Sequence, residues 1–142
     1  MSLSRKIEFV SDSSILVRFN GQTSPELSRQ VLSLFNKFSK IADKAIINLH
    51  PAYSSLLVDI DLRFCEPMKF FKFLSENSNA EDSNENSASK LIEIPVTYDG
   101  EDLAELGQIT GFTEQEIIRL HTEAEYIVAF LGFAPGFPYL LG

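Results

Sequence analysis

The residues best equipped for chemistry lie in one string, Gly132-Phe133-Ala134-Pro135-Gly136-Phe137-Pro138-Tyr139-Leu140. Its alternation of Gly, Pro and aromatic residues excludes a regular helix, because proline removes an N–H and clashes with the preceding turn. An irregular path of this kind can gather backbone N–H groups into a concave donor set for a carboxylate or a developing oxyanion, with Phe133, Phe137 and Tyr139 as apolar walls. The competing reading is a packed turn, since such strings also punctuate ordinary structure. His121 falls at the end of an expected helix, where the negative end of the helix dipole favours a cation. That place suits an acid/base group or a partner contact, and a structural histidine is the alternative.

Other chemistry is weaker. His50, His121 and Cys65 make no HxH, HExxH or CxxC spacing, so no protein-bound metal is expected. Tyr53-Ser54-Ser55 offers hydroxyls without the Gly-x-Ser-x-Gly elbow that activates a serine. Asp59 and Asp61 alternate along one expected strand and read as solvated. There is no Gly-x-x-x-x-Gly-Lys loop, and Gly100, Gly107 and Gly111 read as turn or cap residues. No cofactor is expected on this chain.

The elements that must hold these residues follow from hydrophobic period and punctuation. Lys6–Ser11 and Ser14–Phe19 read as an antiparallel hairpin closed by Asn20-Gly21. Thr23, three residues before Glu26 and with Pro25 in the first turn, predicts a capping box. Leu27, Val31, Leu34, Phe35, Phe38 and Ile41 then recur at helical spacing. Lys44–Leu49 and Ser54–Ile60 read as two further strands, and a second helix runs from about Glu66 to the end of a Phe-rich stretch. The predicted fold class is α+β, a ββαββα sandwich with helices on one face of an antiparallel sheet, over residues 1–74. Residues 75–90, rich in Ser, Asn and acids, read as a flexible linker. Beyond it, Leu91–Tyr98 reads as a strand, Asp99–Thr110 as a helix stopped by Gly111, Thr113 to Glu116 as a capping box opening a further helix, and Ala124–Leu131 as a strand.

Composition bounds the class. With 142 residues, 44% hydrophobic content, one Cys and no Trp, the chain is neither disordered nor disulfide-stapled. Residues 1–74 carry 10 basic and 7 acidic side chains, and residues 75–142 carry 2 and 13. The scattered cations and the acidic second half argue against nucleic acid. No stretch approaches the ~20 apolar residues of a membrane span, and the start lacks a signal-peptide core, so a cytoplasmic protein without membrane contact is expected.

One resemblance adds to this reading. Ile94-Pro95-Val96-Thr97-Tyr98, His121, Tyr126-Ile127-Val128 and the string Gly132 to Leu140 form a pattern that resembles the B-type subunit of bacterial 5-oxoprolinase. That family includes the Kip-type inhibitor of a sporulation histidine kinase and is also labelled allophanate hydrolase subunit 1. Asp12 to Val17 and Pro51 to Asp59 agree more loosely, with Ser11 where Gly is usual. The resemblance implies an N-terminal α+β domain followed by a cyclophilin-like β-barrel domain, of which 91–142 would be the first part. It also implies a longer protein, so that the chain would be a fragment, a cleavage product or a truncated gene product. The implied function is that of a non-autonomous subunit of an ATP-dependent 5-oxoprolinase, with ATP bound by another subunit. The alternative is a regulatory protein that inhibits a sensor histidine kinase. Implied partners are other 5-oxoprolinase subunits or that kinase, and self-association through 124–142 is expected from its apolar residues. The substrate-binding candidates are His121, Tyr126, Gly132, Phe133, Pro135, Gly136, Phe137 and Tyr139, and no catalytic residue is assigned.

Overall fold

A computed structural model describes residues 4–41, 43–78 and 90–142. Contacts divide the chain into two compact units. The first takes its described residues from 4–78 together with Ile127–Leu141, and the second from 90–126 with Gly142. The division expected from sequence puts 91–142 in one module, whereas here Ile127–Leu141 groups with the N-terminal residues.

In the first unit, β1 (Arg5–Phe9) and β2 (Ser14–Phe19) form the expected hairpin, with Ile7 opposite Val17. Strands β3 (Ile46–Pro51) and β4 (Ser55–Ile60) complete an antiparallel sheet of order β1-β2-β4-β3. Helix α1 (Pro25–Ser39) joins β2 to the far edge, and helix α2 (Pro67–Asn77) follows β4. This is the α+β, ββαββα architecture.

Period 2 meets period 3.6 in the core. Ile15, Val17 and Phe19 of β2 and Leu56, Val58 and Ile60 of β4 are buried, and so are Leu27, Val31, Leu34 and Phe38 of α1 and Phe70 and Leu74 of α2. Each such side chain brings about 1.5–3 kcal/mol on leaving water, which is what fixes the strand register: a one-residue slip would expose the set. The opposite face of the sheet carries Ser14, Leu16, Arg18, Leu57 and Asp59, from half-buried to exposed.

Three local expectations change. The N-cap of α1 is Ser24, not Thr23: its extended backbone lets its Oγ accept from the Leu27 N–H at 3.2 Å. Ser75, Glu76 and Asn77, expected in the linker, are the last turn of α2, held by its buried Leu74, and Ser78 is buried as its C-cap. The rest of that expected linker, apart from Lys90, lies outside the described residues.

The third change concerns Leu91–Tyr98, which is not a strand. A strand is a paired object, Pro95 has no N–H to donate, and no described strand lies beside this segment, so Leu91, Ile92, Ile94 and Val96 stay exposed. Helix α3 (Asp102–Thr110) then ends at Gly111, whose φ of 77° is the left-handed conformation expected of that cap. Helix α4 (Glu114–Glu123) opens with the expected capping box: Thr113 Oγ1 accepts from the Glu116 N–H, and the Glu116 carboxylate accepts from the Thr113 N–H. That N–H, and then the Thr113 hydroxyl, hold the Glu116 carboxyl below its usual range.

Strands β5 (Ile127–Leu131) and β6 (Pro138–Leu141) pair antiparallel with a bulge between Val128 and Phe130. Where the resemblance implies the start of a barrel, the described residues show this two-stranded ladder. No helix among them is long and apolar enough to cross a membrane.

Candidate functional site

The candidate residues fall into two groups, one in each unit. Gly132, Phe133, Pro135, Gly136, Phe137 and Tyr139 form the turn between β5 and β6 and the start of β6. His121 and Tyr126 belong to the second unit.

The turn is an aromatic construction. Tyr139 stacks on Phe130 at 4.5 Å between ring centroids and 10° between planes, and Phe137 meets Tyr139 edge-on at 5.5 Å. Tyr53, from the β3–β4 turn, packs edge-on against Phe130, and its hydroxyl donates to Leu140 O at 2.9 Å. Sequence reasoning weighs Tyr53 only for its hydroxyl and misses it as the anchor of this hairpin, because the contact spans 87 residues. Gly132 leaves room for the stack: a Cβ there would sit 3.3 Å from Tyr139 Cε2, and the ring would have to give by a few tenths of an ångström.

The expected donor set is largely spent inside the turn. Gly132 N–H donates to Phe137 O, Ala134 N–H to Gly132 O, and Phe137 N–H to Ala134 O. Phe133 and Gly136 hold the remaining N–H groups of the loop, both with left-handed backbone, φ 65° and 79°. Left-handed geometry in a non-glycine residue costs on the order of 1–3 kcal/mol, and here the three loop bonds impose it. Phe133 is also 92% exposed, touching the Phe137 ring edge-on, so it is a projecting aromatic and not the wall of a cleft.

In the second unit, His121 occupies the last turn of α4. Its Nδ1 is hydrogen-bonded to the Tyr98 hydroxyl, and the two rings meet edge-on at 5.8 Å. Tyr126 donates through its hydroxyl to His121 O at 3.3 Å, with its ring 5.5 Å from the imidazole. Tyr98 stands in the sequence pattern without a role, and its 23-residue separation from His121 leaves no local signal. Tyr98 also lines an open cleft of about 430 Å³ against α3, with Leu103, Leu106 and Ile109 as apolar wall and Asp102 and Glu105 as charges.

Two further constellations correct the sequence reading. Asp59 is not merely solvated: it accepts from Ser14 Oγ at 2.7 Å and pairs with His50 Nε2 at 2.9 Å. Ser, Asp and His are present, but the carboxylate stands between the other two, so the imidazole cannot take the serine proton and no nucleophile is activated. The trio instead ties β2, β4 and β3 together across the sheet. Asp61 is likewise engaged: side-chain and backbone hydrogen bonds from Arg63 hold its carboxyl at about 2. Burial, then the Asp43 and Asp61 charges, push the Cys65 thiol up, which makes it a poor nucleophile at neutral pH. Among the described residues no cluster of His, Cys, Asp and Glu has metal-ligand geometry.

Comparison with known proteins supplies the frame for these features. The chain is 31% identical, over its full length and 65% of the relative's, to the B-type subunit of 5-oxoprolinase from Bacillus subtilis (strain 168). A stretch of 55 residues, 37% of the chain and 25% of the relative, is 51% identical to the corresponding 5-oxoprolinase subunit of Escherichia coli O157:H7. Among solved structures, the crystal structure of TTHA0988 in space group P212121 superposes with a TM-score of 0.72 at 31% identity, over 89% of this chain and 25% of that one. The chain thus spans less than two thirds of the length of these relatives. Residues 5–142 match the family described as "Carboxyltransferase domain, subdomain C and D", and the chain belongs to that family.

Proposed function

We propose that the chain acts as the B-type component of an ATP-dependent 5-oxoprolinase, which opens the lactam of 5-oxoproline to glutamate, and that it does so only in company with other subunits. The observation that carries this reading is the 31% identity to a B-type 5-oxoprolinase subunit along the full chain. An unactivated amide resists hydrolysis at neutral pH, so coupling to ATP is chemically sensible, but this chain does not suit the nucleotide. It has no Gly-x-x-x-x-Gly-Lys loop, and the cleft beside α3 presents the carboxylates of Asp102 and Glu105 with no cation among its described lining residues. Those charges oppose phosphates, and they equally oppose the carboxylate of 5-oxoproline.

What the chain offers the assembly are the imidazole of His121, set at the end of α4, and the projecting Phe133 turn. His121 suits a polar role at a carbonyl oxygen, and Phe133 suits an anchor for another subunit. The test is purification of the chain from its native source with identification of what accompanies it. Other 5-oxoprolinase subunits in fixed ratio are expected. A sensor histidine kinase in their place would overturn the reading in favour of kinase inhibition.

A further inference from the structure

The hydrogen bond between Tyr98 and His121 determines which nitrogen of the imidazole carries the proton. A phenol O–H is a better donor than a neutral imidazole N–H, and the bare imidazole nitrogen is a better acceptor than a phenol oxygen. The Tyr98 hydroxyl has no other protein acceptor among the described residues, so donation to His121 Nδ1 is the arrangement that satisfies both groups. Nδ1 is then the acceptor, and the proton of the neutral ring sits on Nε2, which has no partner among the described residues. Tyr126 bonds the carbonyl of the same residue and Tyr98 lies edge-on to the ring, so backbone and side chain of His121 are both restrained.

We propose that Tyr98 is a positioning residue that holds His121 as its Nε2–H tautomer, so that His121 presents a hydrogen-bond donor to a carbonyl oxygen and not a base to a proton. In the lactam reaction the donor would bind the oxygen on which negative charge develops when the ring carbonyl is attacked. No bond to His121 forms or breaks in that role. The tautomer follows from the geometry of the second unit alone, and its catalytic use rests on the 5-oxoprolinase reading.

The experiment separates the two. A long-range proton–nitrogen correlation spectrum of the ¹⁵N-labelled full chain is recorded at alkaline pH, where imidazoles are neutral. His121 is assigned by comparison with His50→Gln. An unprotonated Nδ1 and a protonated Nε2 are expected, and Tyr98→Phe should move the Nδ1 resonance to that of a solvated imidazole. Circular dichroism shows whether α4 survives that change, and if it does not, the protonation of Nδ1 and Nε2 in the unaltered chain decides the proposal by itself. A protonated Nδ1, or a resonance indifferent to loss of the hydroxyl, overturns the proposal. In the assembled enzyme, Tyr98→Phe should lower kcat roughly tenfold with KM unchanged, the scale of one lost orienting hydrogen bond. The expected tautomer with an unchanged kcat would overturn the catalytic use while leaving the assignment intact.

Discussion

At the scale of single residues, neighbours outweigh residue type. Asp59 and Asp61 are two carboxylates of one segment, yet the first is a strand tie between a serine and a histidine and the second half of an arginine pair. Asp61 supplies a pH test. Its folded carboxyl, held at about 2 by hydrogen bonds from Arg63, lies below the ordinary 3.8. Whatever stability the pair brings is therefore complete above that ordinary value and lost as the pH falls through about 2. A carbon-detected titration should place the Asp61 midpoint near 2, and Arg63→Ala should return it towards 3.8. An ordinary midpoint in the unaltered chain would show that the pair does not persist in solution. Phe133 makes the complementary point: a left-handed phenylalanine is costly to keep, and its exposed ring recovers little of that cost by packing.

At the scale of elements, local signals are legible when a side chain and its target lie within one turn. The stripe Leu27, Val31, Leu34, Phe38 is buried as its 3.6 period predicts, and the Thr113 capping box and left-handed Gly111 are in place. The N-cap of α1 falls one residue later than its spacing predicts, because Thr23 and Ser24 both carry hydroxyls and only the backbone angle decides between them. Ser24→Ala should therefore cost about 1 kcal/mol in urea unfolding. Thr23→Ala should stay within about 0.5 kcal/mol, and the reverse order would restore Thr23 as the cap. Non-local features lie beyond the sequence. Leu91–Tyr98 has strand composition but finds no described partner, and the Ser14–Asp59–His50 tie exists only because β4 inserts between β2 and β3.

At the scale of the whole molecule, the uncovered apolar surface is the dominant fact. Ile127, Val128, Leu131, Phe133, Phe137 and Leu140 are all at least 43% exposed on or beside one short ladder. Apolar residues clustered like this on a two-stranded sheet favour association. The pure chain should sediment as a dimer or larger. The double variant Leu131→Ser, Phe133→Ser, which spares the Phe130–Tyr139 stack, should shift it towards monomer, and no shift would place the contact elsewhere.

The α+β class and the aromatic turn are legible in the sequence because each writes itself in local pattern. The partition of the candidate residues between two units is not, since it depends on Tyr53 and α1 drawing Ile127–Leu141 towards the N-terminal sheet. We propose that this chain is a required part of a larger lactam hydrolase and inert alone. The decisive measurement is to titrate the chain into a fixed amount of the other 5-oxoprolinase subunits with ATP and labelled 5-oxoproline, and to follow the glutamate formed. A rate that is absent for the chain alone, rises with added chain and saturates at a fixed stoichiometry is expected. Sustained glutamate formation by the chain alone, or a mixture indifferent to its addition, would contradict the claim.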